Sequence, residues 1–350
     1  MRKHLASLDG LRGVAALAVV GSHFENLSGI ELHLQGAGAA VDFFFVLSGF
    51  VIALAYERRL ESGLSWAAYM RIRLERLYPA IFGALIVGLI VSAAAGDPMS
   101  VALAAQFFLL PVVFGPAVHG GELFPLNGPQ WSLFWELAAN AAHAALLRWL
   151  TTPALLVIMA MAAAALIYAS VHFGSLDVGW SRQNWWGAAP RVIYSFCMGL
   201  LLFRLDARGF RAPAAPYLLI AAILAACMVR WFPSLGLFWL RDVVVVLAVL
   251  PALVAVAINS PVPARLTGVA AWLGALSYPL YAIHVPILRT FEIGLDPLDG
   301  PIQTALWWAA LVATLVLAAL FERFYDAPIR RWLAARRGKA QAGAGRPNLE

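Results

Sequence analysis

The amino-acid sequence predicts an all-α protein: a polytopic membrane bundle of about ten transmembrane helices, with one re-entrant or interfacial segment near residues 100–118. Three observations predict this fold class. The 350 residues are 62% hydrophobic and 13% charged, with a mean hydropathy of +0.79, whereas soluble domains carry about 25% charged residues. Apolar runs recur from end to end, many near the roughly 18 residues that cross a bilayer. The basic residues gather in short loops between these runs.

The charge and the cysteines narrow the classes of function. A net charge of +6 and a pI near 9.6 are compatible with a nucleic-acid partner. Basic residues in short loops between apolar runs are, however, the positive-inside pattern of membrane proteins, so we expect membrane lipids and no nucleic acid as partners. Cys197 and Cys227 lie in apolar segments and are interpreted as small buried side chains, not as a disulfide or metal site.

Eleven apolar runs follow one another along the chain. They lie near residues 11–28, 39–56, 78–95, 100–118, 131–149, 153–171, 188–205, 215–231, 243–258, 270–288 and 303–322. Arginine and lysine concentrate at the N-terminus, at 57–77, at 204–212 and at the C-terminus. All four regions are expected on the cytoplasmic side.

The number of membrane crossings between cytoplasmic loops then shows that one apolar run does not span the membrane. Five runs lie between the loops at 57–77 and 204–212, but two loops on the same side are separated by an even number of crossings. The run at 100–118 is the best candidate, because Pro111 and Pro116 interrupt it. A re-entrant segment is tolerated where protein or water satisfies its backbone. Ten spans with both termini in the cytoplasm follow.

Residues 1–335 are predicted to form one membrane domain. The first apolar run resembles a signal peptide, but no small-residue cleavage site follows it, so we expect an uncleaved first span. Residues 336–350 are rich in Gly, Ala and Arg and are expected to form a disordered basic cytoplasmic tail.

The first span carries ionisable residues at membrane depth. Arg12 and His23 are about three helical turns apart, which places them on one helix face about 16 Å apart along the axis. Such residues usually face a bundle interior or a wet cavity and mark function. The alternative is that Arg12 is a snorkelling anchor and His23 a structural contact between helices.

A cluster of arginines precedes the third span. Arg71, Arg73 and Arg76 offer forked donors that match phosphate oxygens, although ordinary positive-inside charge also explains them. Asp42, near the start of the second span, is either a helix cap or a functional acid.

Polar side chains open the span at 131–149. Ser132 and Glu136 share one helix face, and Trp131 lies beside them. An acid inside a span needs a partner. Glu136 could position His23, pair with an arginine or bind the hydroxyls of an acceptor, and the sequence leaves these roles open.

The span at 270–288 carries a polar stripe. Ser277, Tyr281 and His284 stand at positions i, i+4 and i+7 of an otherwise apolar helix. This spacing places all three on one face.

These motifs, in this order, resemble the acyltransferase-3 family of membrane O-acyltransferases. The matching strings are LDGLRG with its later His, DFFFVLSGF, Arg-x-x-Arg, WSLFWE and LGALSYPLYAIHVP. Near the C-terminus the family usually shows a Glu and a Pro, with a basic residue between or near them. This sequence has Asp326-Ala327-Pro328, a mild departure that casts doubt only on a role for that acid. The family's optional extracytoplasmic hydrolase-like domain is not expected here.

The resemblance implies an O-acyltransferase of a bacterial cytoplasmic (inner) membrane. It would move an acyl group, expected to be acetyl, from cytoplasmic acyl-CoA to a hydroxyl of a carbohydrate or glycan precursor. His23 is expected to be the general base, because the pKa of imidazole lies near neutrality. Arg12 and Glu136 are the other expected catalytic residues.

The resemblance also distributes the remaining roles. The arginines before the third span would bind acyl-CoA, no metal is expected, and the sequence leaves the oligomeric state open. The expected substrate-binding residues are Asp42, Trp131, Ser132, Ser277, Tyr281 and His284. Arg12 and His23 are expected to line a single chamber that CoA enters from the cell interior. The alternative function is a transporter or permease of a small polar or anionic substrate, although the two halves show no repeat of the kind many transporters have.

Overall fold

The computed structural model describes residues 6–98, 101–114, 121–231 and 236–344. These residues form helices joined by loops, with one isolated β-bridge between Glu122 and Ser181, which confirms the all-α fold class. The long helices are α1 (Ala6–Ser28), α2 (Ala39–Glu61), α3 (Trp66–Ala94), α4 (Gln130–Leu146), α5 (Thr152–Phe173), α6 (Ala188–Ala207), α7 (Tyr217–Met228), α8 (Phe238–Asn259), α9 (Thr267–Leu295), α10 (Gly300–Phe321) and α11 (Ala327–Ala344).

The helices identify an integral membrane protein. Within the described residues, seven helices are long and apolar enough to cross a membrane. They are α2, α3, α5, α6, α8, α9 and α10 with its continuation into α11. α7 is apolar but shorter, α4 has 17 residues, and α1 carries the charged residues Asp9, Arg12 and Glu25. The fold is thus a polytopic helix bundle, and ten crossings remain a prediction.

Local sequence signals set several helix ends. Ser65 Oγ accepts a hydrogen bond from the backbone N of Ala68 at 3.3 Å and caps the start of α3. Thr151 Oγ1 caps α5 in the same way, by accepting from Ala154 N at 3.4 Å. α5 ends at Gly174, whose φ of 76° suits a residue without a β-carbon.

The predicted non-spanning segment forms no long helix in its described residues, 101–114. It contains the short helix Val101–Ala105 and then a single 3₁₀ turn. Gln106 in that turn is fully buried. Its backbone O accepts from Gln130 Nε2 at 2.8 Å, and its side-chain Oε1 accepts from Leu126 N at 3.1 Å. Protein groups therefore satisfy the backbone carbonyl of Gln106, as a non-helical segment beside membrane helices requires.

The last helix, α11, runs from Ala327 to Ala344. It overlaps the first residues of the tail at 336–350, where Ala, Arg and Lys favour a helix. The membrane domain at 1–335 and the disordered tail after it stay predictions. Residues 345–350 lie outside the described part of the chain, as do residues 1–5, 100 and 115–118.

The contact between α1 and α9 forms the centre of the bundle. Gly13 of α1 lies directly against Leu273 of α9, and Gly274 of α9 lies against Asp9 of α1, so a β-carbon at either glycine would overlap its neighbour. Small residues allow helices in membranes to approach closely. This close approach brings the polar stripe of α9 against the polar face of α1.

α2 and α6 form a second tight pair. Their backbones meet at Gly49 and Gly199. Asp42 of α2 and Arg191 of α6 add a fully buried ion pair, with Arg191 Nη2 2.7 Å from Asp42 Oδ2. Together the α1–α9 and α2–α6 pairs enclose the cavities that hold the predicted site residues.

Candidate active site

A charged cavity of about 90 Å³ lies where α1, α2, α3, α4 and α9 converge. We call it the arginine cavity. Its ionisable and hydroxyl-bearing lining residues are Arg12, Ser48, Arg73, Arg76, Ser132, Glu136, Ser277, Tyr278 and Tyr281. The arginines predicted near one membrane surface therefore meet Glu136 and the lower part of the α9 polar stripe.

Glu136 is fixed by two partners in this cavity. Its Oε1 accepts from Arg73 Nη2 at 3.0 Å and from Ser48 Oγ at 3.1 Å. Arg73 is almost fully buried, so the pair shields two charges that would otherwise be costly at this depth. Of the roles left open for Glu136, pairing with an arginine is the one the structure shows.

A wider opening of about 480 Å³ adjoins the arginine cavity. This opening, the vestibule, shares Arg12, Arg76 and Tyr278 with the arginine cavity and adds Arg330 and Arg331 of α11. Arg330 is paired with Asp326, with Nε and Oδ2 2.7 Å apart, and Arg12 is paired with Asp9 at 3.7 Å. Arg76 and Arg331 form no ion pair within the described residues. The vestibule also contains Glu322, so its four arginines outnumber its one acidic side chain.

A separate cavity of about 440 Å³ contains His23, and we call it the histidine cavity. Its polar and aromatic lining residues are Ser22, His23, Asn26, Gln35, Glu122, Trp131, Asp177, Trp180, Arg191, Arg230, Tyr281 and Arg289. Arg289 Nη2 donates to Glu122 Oε1 at 3.0 Å. Burial raises the pKa of the Glu122 carboxyl, and the Arg289 guanidinium opposes that shift. Mixed polar and aromatic walls of this kind suit a polar organic ligand.

His23 contacts a second histidine. His284 Nε2 lies 3.2 Å from His23 Nδ1, and the two rings meet edge to face with centroids 4.9 Å apart. His23 Nδ1 also lies 3.0 Å from Val19 O. His284 is fully buried, while His23 borders the cavity. The pair thus joins the polar faces of α1 and α9.

Tyr281 and Val41 line both cavities and so form the partition between them. Ser132 Oγ donates to Pro129 O at 3.0 Å, so the Tyr281 hydroxyl donates to Ser132 Oγ, 2.6 Å away. The ring of Phe44 packs edge to face on Tyr281, with centroids 5.6 Å apart. Arg12 and His23 therefore do not line one chamber, as the sequence suggested, but two chambers that adjoin at this partition.

Comparison with known protein families identifies the family of this chain. A family described as an acyltransferase domain, acyltransferase-3, matches residues 5–323. The chain belongs to the acyltransferase-3 family. The resemblance found in the sequence motifs is thereby confirmed, and the chain is a membrane-embedded acyltransferase.

Three curated proteins are similar to this acyltransferase. "Protein 2 in picA locus" of Rhizobium radiobacter is 35% identical over 187 residues, 47% of this chain and 94% of that protein. Peptidoglycan O-acetyltransferase OatA of Listeria monocytogenes is 25% identical and covers 94% of this chain, which spans 56% of OatA. Exopolysaccharide production protein ExoZ of Rhizobium meliloti is 25% identical and covers 89% of this chain and 95% of its own length. No solved structure matches the chain.

The structure divides the predicted site residues of the acyltransferase into two groups. Those at the arginine cavity are Arg12, Arg73, Arg76, Ser132, Glu136, Ser277 and Tyr281. Those at or beside the histidine cavity are His23, Trp131, Tyr281 and His284. The motifs thus converge, as the family resemblance implies, although on both sides of one partition.

Two predicted residues lie apart from both cavities. Asp42, predicted to bind substrate, is fully buried against Arg191 and held there by hydrogen bonds from Nε and Nη2 of that guanidinium. Arg71, predicted to bind acyl-CoA, lies on the exposed side of α3 and pairs with Glu75 at 2.8 Å. Neither side chain lines the arginine cavity or the histidine cavity.

The sequence reasoning assigned no site role to several residues that the structure places here. Arg331 is one of several basic residues near the C-terminus, and Trp180 belongs to none of the motifs. Arg289 and Glu122 come from different segments, and only folding brings them together. Among the described residues there is no cluster of three or more His, Cys, Asp or Glu side chains that could hold a metal ion.

Proposed function

We propose that this acyltransferase moves an acetyl group from acyl-CoA, bound through the vestibule and the arginine cavity, to a hydroxyl of a carbohydrate or glycan precursor in the histidine cavity. The observation that carries the proposal is the arrangement of two polar cavities on either side of Tyr281. One is lined by arginines and the other by the histidine pair.

The charge of the vestibule supports acyl-CoA as the donor. CoA carries its negative charge on phosphate groups at one end and its thioester at the other. Arg76 and Arg331, which form no ion pair with any described residue, line the vestibule, and their guanidinium groups suit phosphate oxygens. The narrow arginine cavity then leads from this mouth toward Tyr281, and a flexible arm fits such a passage better than a charged nucleotide does.

The walls of the histidine cavity support a sugar acceptor. Trp131 and Trp180 offer flat apolar faces, and Asn26, Gln35 and Asp177 offer hydrogen-bonding groups around them. Small-molecule sites typically combine apolar walls with a few polar groups that fix orientation. The names of OatA and ExoZ, which refer to peptidoglycan O-acetylation and exopolysaccharide production, favour a glycan over other hydroxyl compounds.

The chemistry follows from the position of His23. When Phe44 and Tyr281 rotate aside, the thioester reaches the histidine cavity. His23 takes the proton of the acceptor hydroxyl as its oxygen bonds to the thioester carbonyl carbon. The tetrahedral intermediate then breaks its C–S bond, and the leaving CoA sulfur receives the proton from His23. The products are an ester and free CoA, and His23 returns to its neutral form.

The orientation in the membrane follows from the basic loops. Arg76, Arg330 and Arg331 surround the vestibule, and arginine-rich ends of spans lie on the cytoplasmic side. We therefore place the vestibule and both termini on the cytoplasmic side of a bacterial inner membrane. The donor then binds from the compartment that contains acyl-CoA.

Transfer of radiolabelled acetyl from acetyl-CoA to a glycan acceptor by the purified protein in lipid nanodiscs tests the proposal. The parent protein should transfer label, and His23→Ala should lose about 100-fold or more, the usual contribution of a general base. His172→Ala is the control, because His172 is exposed on α5 and stacks on Tyr168 outside both cavities. Full activity of His23→Ala would refute the role of His23. Solute flux across vesicles without any acylated product would support the transporter alternative.

A further inference from the structure

We infer that His284 is the positioning residue for His23: together with the backbone O of Val19, it fixes the tautomer and ring orientation of His23, so that Nε2 carries the lone pair used as the base. This inference rests on the proposed function, in which His23 is the general base. The sequence placed His284 among substrate contacts, but its nearest polar side chain is His23, 261 residues away in the chain.

The hydrogen bonds of His284 determine its own tautomer. Its Nδ1 lies 2.9 Å from Tyr281 O and 3.0 Å from Leu280 O. Backbone carbonyls only accept hydrogen bonds, so Nδ1 carries the hydrogen and donates it. In a neutral imidazole the other nitrogen is then an acceptor. His284 Nε2 therefore presents a lone pair to His23.

The same reasoning then applies to His23. Its Nδ1 faces two acceptors, His284 Nε2 at 3.2 Å and Val19 O at 3.0 Å. It must therefore carry a hydrogen, which leaves the lone pair on Nε2. Nε2 has no hydrogen-bond partner within the described residues. The atom able to take a proton is thus the one that remains free.

The backbone of α9 holds His284 in place. Pro286 has no N–H, so the O of Ala282 lacks its usual helical donor. Asn127 Nδ2 fills that position and donates to Ala282 O at 2.8 Å. His284 itself is fully buried, so water does not compete for its hydrogen bonds. A well-fixed acceptor therefore faces His23.

The pair also has a role during transfer. When His23 Nε2 takes the hydroxyl proton, the ring becomes an imidazolium, whose Nδ1–H donates more strongly to its acceptors. His284 Nε2 and Val19 O are those acceptors. They hold the charged ring in one orientation until Nε2 returns the proton to the leaving sulfur, and His284 neither gains nor loses a proton.

The variants His284→Leu and His284→Gln test this role. Leu removes both ring nitrogens, whereas the Gln amide offers an oxygen to His23 and an N–H to the backbone carbonyls. We expect His284→Leu to lower kcat about 100-fold, the effect of losing alignment, with the KM for acetyl-CoA unchanged. The kcat of His284→Gln should be at least about tenfold higher than that of His284→Leu. His143→Leu is the control, because His143 is equally buried but lines neither cavity.

A second measurement needs no acyl transfer. Diethyl pyrocarbonate acylates a free imidazole lone pair, and mass spectrometry gives the rate at His23 alone. This rate should fall in His284→Leu, recover in His284→Gln and stay unchanged in His143→Leu, with folding checked by thermal unfolding.

Each other outcome has a distinct meaning. A higher KM with unchanged kcat in His284→Leu would make His284 a substrate contact and overturn the inference. Equal rates for the Leu and Gln variants, in turnover and in labelling, would overturn it as well. If His23→Ala keeps full transfer while His23 labelling still depends on residue 284, the positioning stands and the proposed function fails.

Discussion

Arg73 and Glu136 form an ion pair inside the membrane domain, with Nη2 and Oε1 3.0 Å apart. Their side chains are only 5% and 19% exposed, and 63 residues separate them in the chain. Two motifs that look independent in the sequence therefore form a single structural unit in the wall of the arginine cavity.

Neutralising one member of this pair is predicted to destabilise the fold more than neutralising both. Arg73→Gln or Glu136→Gln leaves a buried charge without its partner, at a cost of about 3–5 kcal/mol, whereas the double variant removes both charges. The thermal unfolding midpoint in one detergent should thus fall further in each single variant than in the double variant.

The exposed Arg71 provides the control for this cycle. Its side chain is 67% exposed and pairs with Glu75, and an exposed partner of this kind contributes about 0–1 kcal/mol. Arg71→Gln should change the midpoint little, because Glu75 keeps its second partner, Arg337. If the double variant lowers the unfolding midpoint by the sum of the two single effects, the charges of Arg73 and Glu136 are not coupled.

Asp42→Asn is predicted to affect stability and not substrate binding. Arg191 is 1% exposed, and the Asp42 carboxylate is its only ion-pair partner in the described part of the chain. Losing that charge should cost about 3–5 kcal/mol of stability. The remaining folded enzyme should keep its KM for donor and acceptor, because Asp42 lines neither main cavity. A raised KM without any loss of stability would restore the substrate role predicted from sequence.

Arg331→Gln is predicted to weaken donor binding. Arg331 forms no ion pair within the described residues and lines the vestibule, so its loss removes an interaction made equally in the ground and transition states. The KM for acetyl-CoA should rise about tenfold with little change in kcat, and the difference should shrink at high ionic strength.

Arg323→Gln is the matched control for the donor site. Arg323 lies in the turn just before α11 and stacks over the ring of Phe324, 5.5 Å from its centroid, away from the vestibule. Its substitution should leave the KM for acetyl-CoA unchanged. Equal effects of the two substitutions would indicate a general surface charge effect and remove Arg331 from the donor site.

The sequence predicts the helices and most site residues, but not their distribution between cavities. Helical periodicity places Ser277, Tyr281 and His284 on one face of α9, and that face does line the site. Periodicity does not reveal which neighbouring helix each residue meets. His284 contacts His23, whereas Tyr281 contacts Ser132, and these partners depend on how closely α1 and α4 approach α9.

Charged residues near membrane surfaces are the least predictable part of the site. Arg71, Arg76 and Arg331 all fit the positive-inside pattern, and only the fold separates them. Arg71 points outward to Glu75, while Arg76 and Arg331 face the vestibule.

The partition at Tyr281 predicts that each cavity is reached from one side of the membrane only. Ser48 lines the arginine cavity, and Asn26 lines the histidine cavity. Single cysteines at these positions, in a Cys197→Ala/Cys227→Ala background, should react with a membrane-impermeant thiol reagent from opposite faces of oriented vesicles. Ser48→Cys should react from the face with the vestibule, and Asn26→Cys from the other.

Removing the Tyr281 ring should join the two cavities. In Tyr281→Ala, Ser48→Cys should react from both faces, because the ring packed against Phe44 is gone. Tyr281→Phe is the matched control: it loses only the hydrogen bond to Ser132 and keeps the ring, so labelling should stay one-sided. Two-sided labelling of Ser48→Cys with Tyr281 intact would mean that no partition exists. A one-sided pattern that persists in Tyr281→Ala would assign the barrier to other residues, and His23 would then need a different route to the donor.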